Sequence, residues 1–275
     1  MKKIVSLALA AAMMLSLAAC GSSKPAEAPA AATTEAAQET SEAAEPAAAI
    51  TTVNAGKLTM STNAAFPPYE MTTDTGEFEG IDIELAQAIA EMLGLELVVD
   101  DMDFDAALLA VQQGKSDIVM AGVSVTDERK QVMDFSAPYA NGVQVVIVVS
   151  DSDIESIDDL AGKMIGTQRG TTGNLYCTDD YGEDHVTTYD NGLTAVQALL
   201  NGQVDCVVID QEPARSFVKA NPGLKILDTK YVTEQYAIGI AKGNTALVDA
   251  VNKCLAELKD GGTLDSVISK YISAD

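Results

Sequence analysis

Four short segments of this chain hold side chains suited to gripping a small charged molecule. In Ala121-Gly122-Val123-Ser124-Val125-Thr126-Asp127-Glu128-Arg129, small residues allow a ligand to approach the backbone. Ser124 and Thr126 offer hydroxyls, and Thr126 can cap a helix opened by Asp127 and Glu128. Arg129 follows one turn later. A guanidinium beside free backbone N–H groups suits a carboxylate, through a bidentate fork and positive dipole ends; a surface ion pair with Asp127 or Asp134 is the plainer role. The run Gly166-Thr167-Gln168-Arg169-Gly170-Thr171-Thr172-Gly173-Asn174 sits where a strand would feed a helix, an anion-binding arrangement. No Gly-Lys-Ser/Thr closes it, so it is not a nucleotide-phosphate loop. Thr171 and Thr172 would present backbone N–H groups and a hydroxyl. Asp210, in Val208-Ile209-Asp210-Gln211-Glu212-Pro213, can pair with an ammonium group or cap the helix that Pro213 marks. In Asn63-Ala64-Ala65-Phe66-Pro67-Pro68-Tyr69-Glu70, two prolines stiffen a loop with two aromatics. Phe66 makes a stacking plate, and Tyr69 reads as core.

These segments need strands and helices behind them. Lys57–Ser61 reads as a strand. Ile81–Leu93 reads as a helix, apolar at Ile81, Leu85, Ala88, Ile89 and Met92 and stopped by Gly94. Glu96–Val99 reads as a strand, 106–113 as a helix stopped by Gly114, and Asp117–Met120 as a strand. Such alternation argues for βαβ units and an α/β fold with mostly parallel sheet. A weak repeat reinforces it: Gly114-Lys115-Ser116-Asp117-Ile118-Val119-Met120 and Gly202-Gln203-Val204-Asp205-Cys206-Val207-Val208. Each follows an Ala/Leu/Gln-rich helix and leads into a buried strand. Ligands of βαβ sheets bind beyond the carboxyl ends of strands. The repeat therefore predicts two similar lobes, offering Ala121-Gly122 and Ile209-Asp210. The run 139–149 crosses out of the first lobe. The strand 235–241 returns, followed by an amphipathic helix over 245–259. Two crossing strands between lobes form a hinge.

The ends and the composition bound the setting. Lys2 and Lys3 precede an apolar run, Ile4–Leu17, too short to span a membrane. It closes in Leu17-Ala18-Ala19-Cys20-Gly21, so residues 1–19 read as a signal peptide. Residues 20–56 read as a disordered tether that begins at Cys20, since 21–49 hold no aromatic residue and no Leu, Ile or Val. Losing the leader moves the formal charge from −24 to −26 by removing two lysines. That acidity argues against a nucleic-acid partner. Cys177, Cys206 and Cys254 form no CxxC pair, and His185 is the single histidine, so no metal site is expected. The thiols read as buried and free, with a Cys177–Cys206 bridge as the other possibility. His185 reads as a solvated loop residue.

Taken in order, Phe66-Pro67-Pro68-Tyr69-Glu70, Gly80-Ile81-Asp82-Ile83-Glu84-Leu85-Ala86, Thr126-Asp127-Glu128-Arg129-Lys130, Asp134-Phe135-Ser136-Ala137-Pro138-Tyr139, Gly170-Thr171-Thr172, Gly261-Gly262-Thr263-Leu264 and Lys270-Tyr271 resemble the bacterial extracellular solute-binding proteins of family 3. The leader resembles a bacterial lipobox, which implies diacylglycerol on Cys20. The resemblance implies a type II periplasmic-binding-protein fold, two doubly wound lobes joined by a two-strand hinge. Lobe one would take 57–141 and 237–275, and lobe two 142–236. It implies a monomer that is not an enzyme, needs no cofactor and passes a free amino acid to an ABC permease. Arg129 would clamp the α-carboxylate, aided by Ser124 and by Thr172 from the opposite lobe, with Thr171 also in contact with the ligand. Asp210 would hold the α-ammonium with Gly122 and Ser124. Phe66 and Phe104 would wall the side chain, and Asn63 and Gln168 would read its tip. Ala121 stands where some members carry Ser, and Asn63 where basic-ligand members carry an acid, so a neutral or polar amino acid is favoured; Glu70 keeps a basic one open. A sensing or adhesion lipoprotein, or a dehydratase-like enzyme, are the alternatives.

Overall fold

The computed structural model describes residues 49–228 and 230–272. The leader, Cys20 and the tether as far as residue 48 lie outside the described residues. The last residues assigned to the tether are not loose. Val53 N donates to Asp117 Oδ1 at 2.7 Å, and Asn244 Nδ2 donates to Thr51 O at 3.2 Å. The chain is therefore pinned to the first lobe several residues before its first strand.

Strands β1 (Lys57–Thr62), β2 (Ala65–Phe66), β3 (Glu70–Thr72) and β4 (Phe78–Glu79) lead into helix α1 (Ile81–Leu93). Then come β5 (Glu96–Asp101), α2 (Phe104–Gln112), β6 (Ile118–Val119), α3 (Asp127–Val132) and β7 (Met133–Phe135). The long β8 (Ala140–Val149) opens the second lobe, followed by β9 (Ile165–Gln168), α4 (Thr172–Tyr181), β10 (Val186–Tyr189), α5 (Gly192–Leu200), β11 (Cys206–Asp210), α6 (Gln211–Ala220), β12 (Leu224–Ile226) and β13 (Val232–Tyr236). The chain ends with β14 (Gly239–Ala241), α7 (Thr245–Asp260) and α8 (Thr263–Tyr271).

Two mixed sheets carry the lobes. The first runs β5-β1-β6-β14-β7 and the second β10-β9-β11-β8-β12, with β13 also on β8. In each, the βα-connected strands are parallel. The strands that enter or leave the lobe are antiparallel. The helices cover the sheets with apolar faces. On α1 the buried residues include Ile81, Ile83, Leu85, Ala86, Ile89 and Ala90, while Met92, expected inside, is exposed.

The return run 235–241 is two strands, not one. Tyr236 pairs with Ala140 in the second sheet and Gly239 with Val119 and Phe135 in the first. Ala237 and Ile238 lie between, held by Ala237 N to Val123 O and Ile238 N to Ser136 Oγ. Tyr139 N donates to Tyr236 O at 3.0 Å, so the two crossings are stitched together as a hinge.

Cys177 and Cys206 are buried free thiols among Val146, Val148 and Ile165, and burial pushes the pKa of both up to about 12. His185 closes a short 3-10 turn and is half-buried, its Nδ1 without a partner. That corrects its reading as a solvated loop residue, because the turn folds it back against the lobe.

Candidate functional site

The repeat seen in the sequence has a structural counterpart. Helices α2 and α5 each end at a left-handed glycine, Gly114 or Gly202. The chain then drops into the central strand, β6 or β11. Beyond β6 come Ala121, Gly122 and Ser124, and Asp210 ends β11. Both sets line one cavity.

That cavity, about 310 Å³ when the solvent space open to it is counted, is lined by Asn63, Phe66, Glu70, Phe104, Ala121, Gly122, Ser124, Arg129, Gln168, Thr171, Thr172 and Asp210. All eleven residues singled out from the sequence for ligand contact stand on this wall, and Glu70 joins them. Gly122, at φ +55°, is required: a Cβ there would lie 2.8 Å from Phe66 Cε1. The bare backbone lets the Phe66 ring lie across the cavity floor.

Arg129 is no surface ion pair. Asp127 pairs with Lys130 and Asp134 with Lys242, and the Arg129 side chain turns inward. Nη1 donates to Ser124 O at 2.8 Å, and Nη2 donates across the lobes to Gly170 O at 3.1 Å. The guanidinium lies 5.4 Å from the Phe104 ring centroid. Thr126 caps α3 by accepting from Arg129 N at 3.1 Å, fixing the arginine's backbone. Burial pulls the guanidinium below its usual range, and Glu234 foremost among nearby anions opposes that. An arginine stays protonated under such pressure.

Asp210 begins α6 without capping it. Its carboxylate turns into the cavity wall, where Oδ1 accepts from Tyr236 OH and Oδ2 from Gln144 Nε2. Burial raises it to about 7; the Tyr236 and Gln144 bonds pull down and the Glu234 charge pushes up. Gln144 Nε2 also donates to Glu234 Oε2 at 2.9 Å, which accepts from Thr172 Oγ1 at 2.9 Å. Tyr176 OH donates to Glu234 Oε1 at 3.0 Å. The Thr172 hydroxyl is thus engaged with Glu234. What Thr172 brings to the cavity is its place in the first turn of α4, where helix amides carry partial positive charge.

Asn63 and Gln168 meet across the lobes. Gln168 Nε2 donates to Asn63 Oδ1 at 2.9 Å, and Asn63 Nδ2 to Met102 O at 2.9 Å. Both ends of the Asn63 amide are therefore occupied within the protein. Glu70 contrasts with it, being fully buried with neither carboxyl oxygen hydrogen-bonded.

Gln144, Glu234 and Tyr236 were not singled out from the sequence. Their signal is weak but real. Gln144 interrupts the apolar run Val143–Val149, and Glu234 and Tyr236 fall on the same face of β13. A polar residue at a buried strand position needs a partner.

Comparison with known proteins agrees with this geometry. A sequence model of the bacterial extracellular solute-binding proteins, family 3, matches residues 58–274. A probable histidine-binding protein of Neisseria gonorrhoeae is 33% identical, over 100% of this chain and 97% of that protein. The L-cystine-binding protein TcyJ of Escherichia coli K12 is 31% identical, over 80% of this chain and 84% of its own. Among solved structures, an ancestral arginine-binding protein bound to arginine superposes with a TM-score of 0.75. It is 40% identical and covers 79% of this chain and 99% of its own. The fold with its hinge, the cleft between lobes and the family match over nearly all the described residues lead to one assignment: this chain belongs to the bacterial extracellular solute-binding proteins, family 3.

Proposed function

We propose that the cavity binds a free L-α-amino acid and that the protein, anchored by lipid at Cys20 as a monomer, delivers it to an ABC permease. One observation carries this reading. Arg129, beyond the first sheet, and Asp210, at the end of a strand of the second, line the same cavity. The lobes are taken as 57–141 with 237–275, and 142–236, although the first strand of the second sheet already starts at Ala140. Arg129 takes the α-carboxylate, with Ser124 and the α4 end at Thr171 and Thr172. Asp210 takes the α-ammonium with Gly122. Phe66 and Phe104 flank the aliphatic stem. Neither lobe alone satisfies both poles, so the ligand binds the closed state better than the open one, and that difference drives closure.

The side chain runs toward Glu70, Asn63 and Gln168. The expectation of a neutral or polar ligand rested on the lack of an acid at Asn63 and on Ala121; the Asn63 amide already has one bond to Gln168 and one to Met102. Glu70 is what the tip meets, and its bare carboxyl favours N–H donors: amide, imidazole or guanidinium. The histidine- and arginine-binding relatives are consistent with that preference. A thermal-shift panel of the twenty amino acids and cystine tests the function. A ligand at 100 times its Kd adds about 2.7 kcal/mol to native stability. No amino acid raising the melting temperature of the folded protein would overturn the reading.

A further inference from the structure

Glu70 and Asp82 are two carboxyl side chains with no solvent exposure; Glu70 lines the cavity, and Asp82 is brought beside it where its backbone N donates to Tyr69 O at 2.9 Å. Asp82 is well supplied with donors. Its Oδ1 accepts from Tyr139 OH at 2.7 Å, and Oδ2 from Gly122 N at 3.0 Å. Among the described residues no donor reaches either oxygen of Glu70. Asp82 is the carboxyl group whose charge bears most on it, and a proton held between the two would give Glu70 the partner it lacks. The other charged or titratable groups that face Glu70 are Asp210, at the end of β11, and Asp101, at the end of β5. Tyr69 and Tyr139 add only neutral phenols. None of these groups is a cation, and Arg129, the cation lining the same cavity, is held by Ser124 O and Gly170 O. Two bare carboxylates in such a place would repel each other with no counterion, so one must be neutral.

We propose that the Glu70–Asp82 pair is a cation-for-proton exchange site: empty, it holds one shared proton, and it releases that proton when a ligand's guanidinium or ammonium tip takes its place. The ligand class is then a basic amino acid, because an amide tip brings no charge to replace the proton. Asp82 is the positioning residue. It is anchored to the cavity floor at Gly122 and to Tyr139 beside the hinge, so it stays ionised while Glu70 changes state. Burial and the Asp82 charge hold Glu70 well above the ordinary carboxylate range, in agreement with the proton residing there.

The inference rests on the amino-acid-binding reading, and calorimetry separates the two. The mature protein is titrated with L-arginine and with L-glutamine at pH 8.5, in buffers of different ionisation heat, to count protons exchanged per ligand. Both ligands share the α-amino and α-carboxyl chemistry, so that contribution cancels in their difference. Arginine is expected to release about one more proton than glutamine and to bind more tightly. In Glu70→Gln the extra proton disappears, and arginine affinity falls by about 10- to 150-fold, the loss of one charge-assisted bond. Arginine binding without an extra proton, or glutamine preferred over arginine, overturns the exchange site and leaves the amino-acid reading in place. Should Glu70→Gln misfold, the wild-type comparison of the two ligands still decides. Heat from no amino acid at all would instead sink the function proposed above.

Discussion

Lowering the pH from 8 to 5 is expected to remove most of the protein's affinity for its amino acid, and Asp210 sets the size of the loss. Its carboxyl is raised from 3.8 to about 7, by burial first. The ligand keeps both of its backbone charges across this window, so the titrating partner is the protein. An ammonium group favours the ionised carboxylate and lowers its pKa in the complex. Affinity is therefore full above the ligand-free pKa, falls as pH drops through about 7, and levels off only below the pKa of the complex. About 90% of Asp210 is ionised at pH 8 and about 1% at pH 5. The apparent Kd should rise by roughly 100-fold, or about 2.7 kcal/mol. Isothermal titration at pH 8, 7, 6 and 5 measures it, with circular dichroism to show that the fold persists. Tyr236→Phe removes a bond that holds the Asp210 carboxyl down, and should move the midpoint upward. Asp210→Asn should abolish the slope centred near 7; any slope that survives belongs to Glu70. A Kd that changes by less than about 3-fold between pH 8 and 5 in the folded protein would refute the assignment of Asp210 to the ammonium.

Arg129→Ala should weaken binding by about 2–5 kcal/mol, the cost of stripping a buried charged partner from the ligand carboxylate. Arg129→Lys should recover little of this, because an ammonium cannot reach Ser124 O and Gly170 O while presenting a fork; direct titration of both variants checks this. Gly80→Ala should lower stability by more than about 2 kcal/mol in a thermal melt. Gly80 sits at φ +131°, and a Cβ there would meet Tyr69 O at 2.2 Å. An unchanged melting temperature would show that the start of α1 can move away from the Tyr69–Glu70 backbone.

How far the sequence could be read depends on which forces act locally. The helix Ile81–Leu93 was legible from its apolar period and from Gly94, which ends it in a left-handed conformation. Much of the cavity was legible because strand ends and helix starts in βαβ units converge on one crevice; Phe104 and the roles of Asn63 and Gln168 came from the family resemblance. The split of 235–241 was not legible. Both halves alternate as strands do, and only the change of ladder partner at Ala237 separates them. The roles of Asn63 and Glu70 also turn on contacts over long sequence distances. Gln168, 105 residues away, occupies the Asn63 amide. Asp82 on the following helix leaves Glu70 as the bare acid. A side chain's type says what it can offer, whereas its partners decide whether that offer is still open.

The charges around the cavity also decide which ligands are refused. Arg129 faces Glu234 and Asp210, and Gln144 ties those two acids together. Glu234 comes from β13, the strand of the second sheet that leads into the hinge, where Thr172 and Gln144 hold it. With Glu70 protonated, the fixed charges near the ligand are one cation and several anions. A zwitterion adds no net charge and satisfies both poles. A ligand with an acidic side chain would bring another carboxylate toward Glu70 and Asp82, whose one proton is already shared between them, and burial magnifies the repulsion. Glutamate and aspartate should therefore bind at least about 100-fold more weakly than amino acids with N–H-bearing tips, a gap of about 2.7 kcal/mol. Competition titration against a bound ligand measures it. Glutamate binding as tightly as glutamine would mean that the Glu70 end of the cavity lies open to water or a cation, and burial could then no longer be what sets the charge preference of that end.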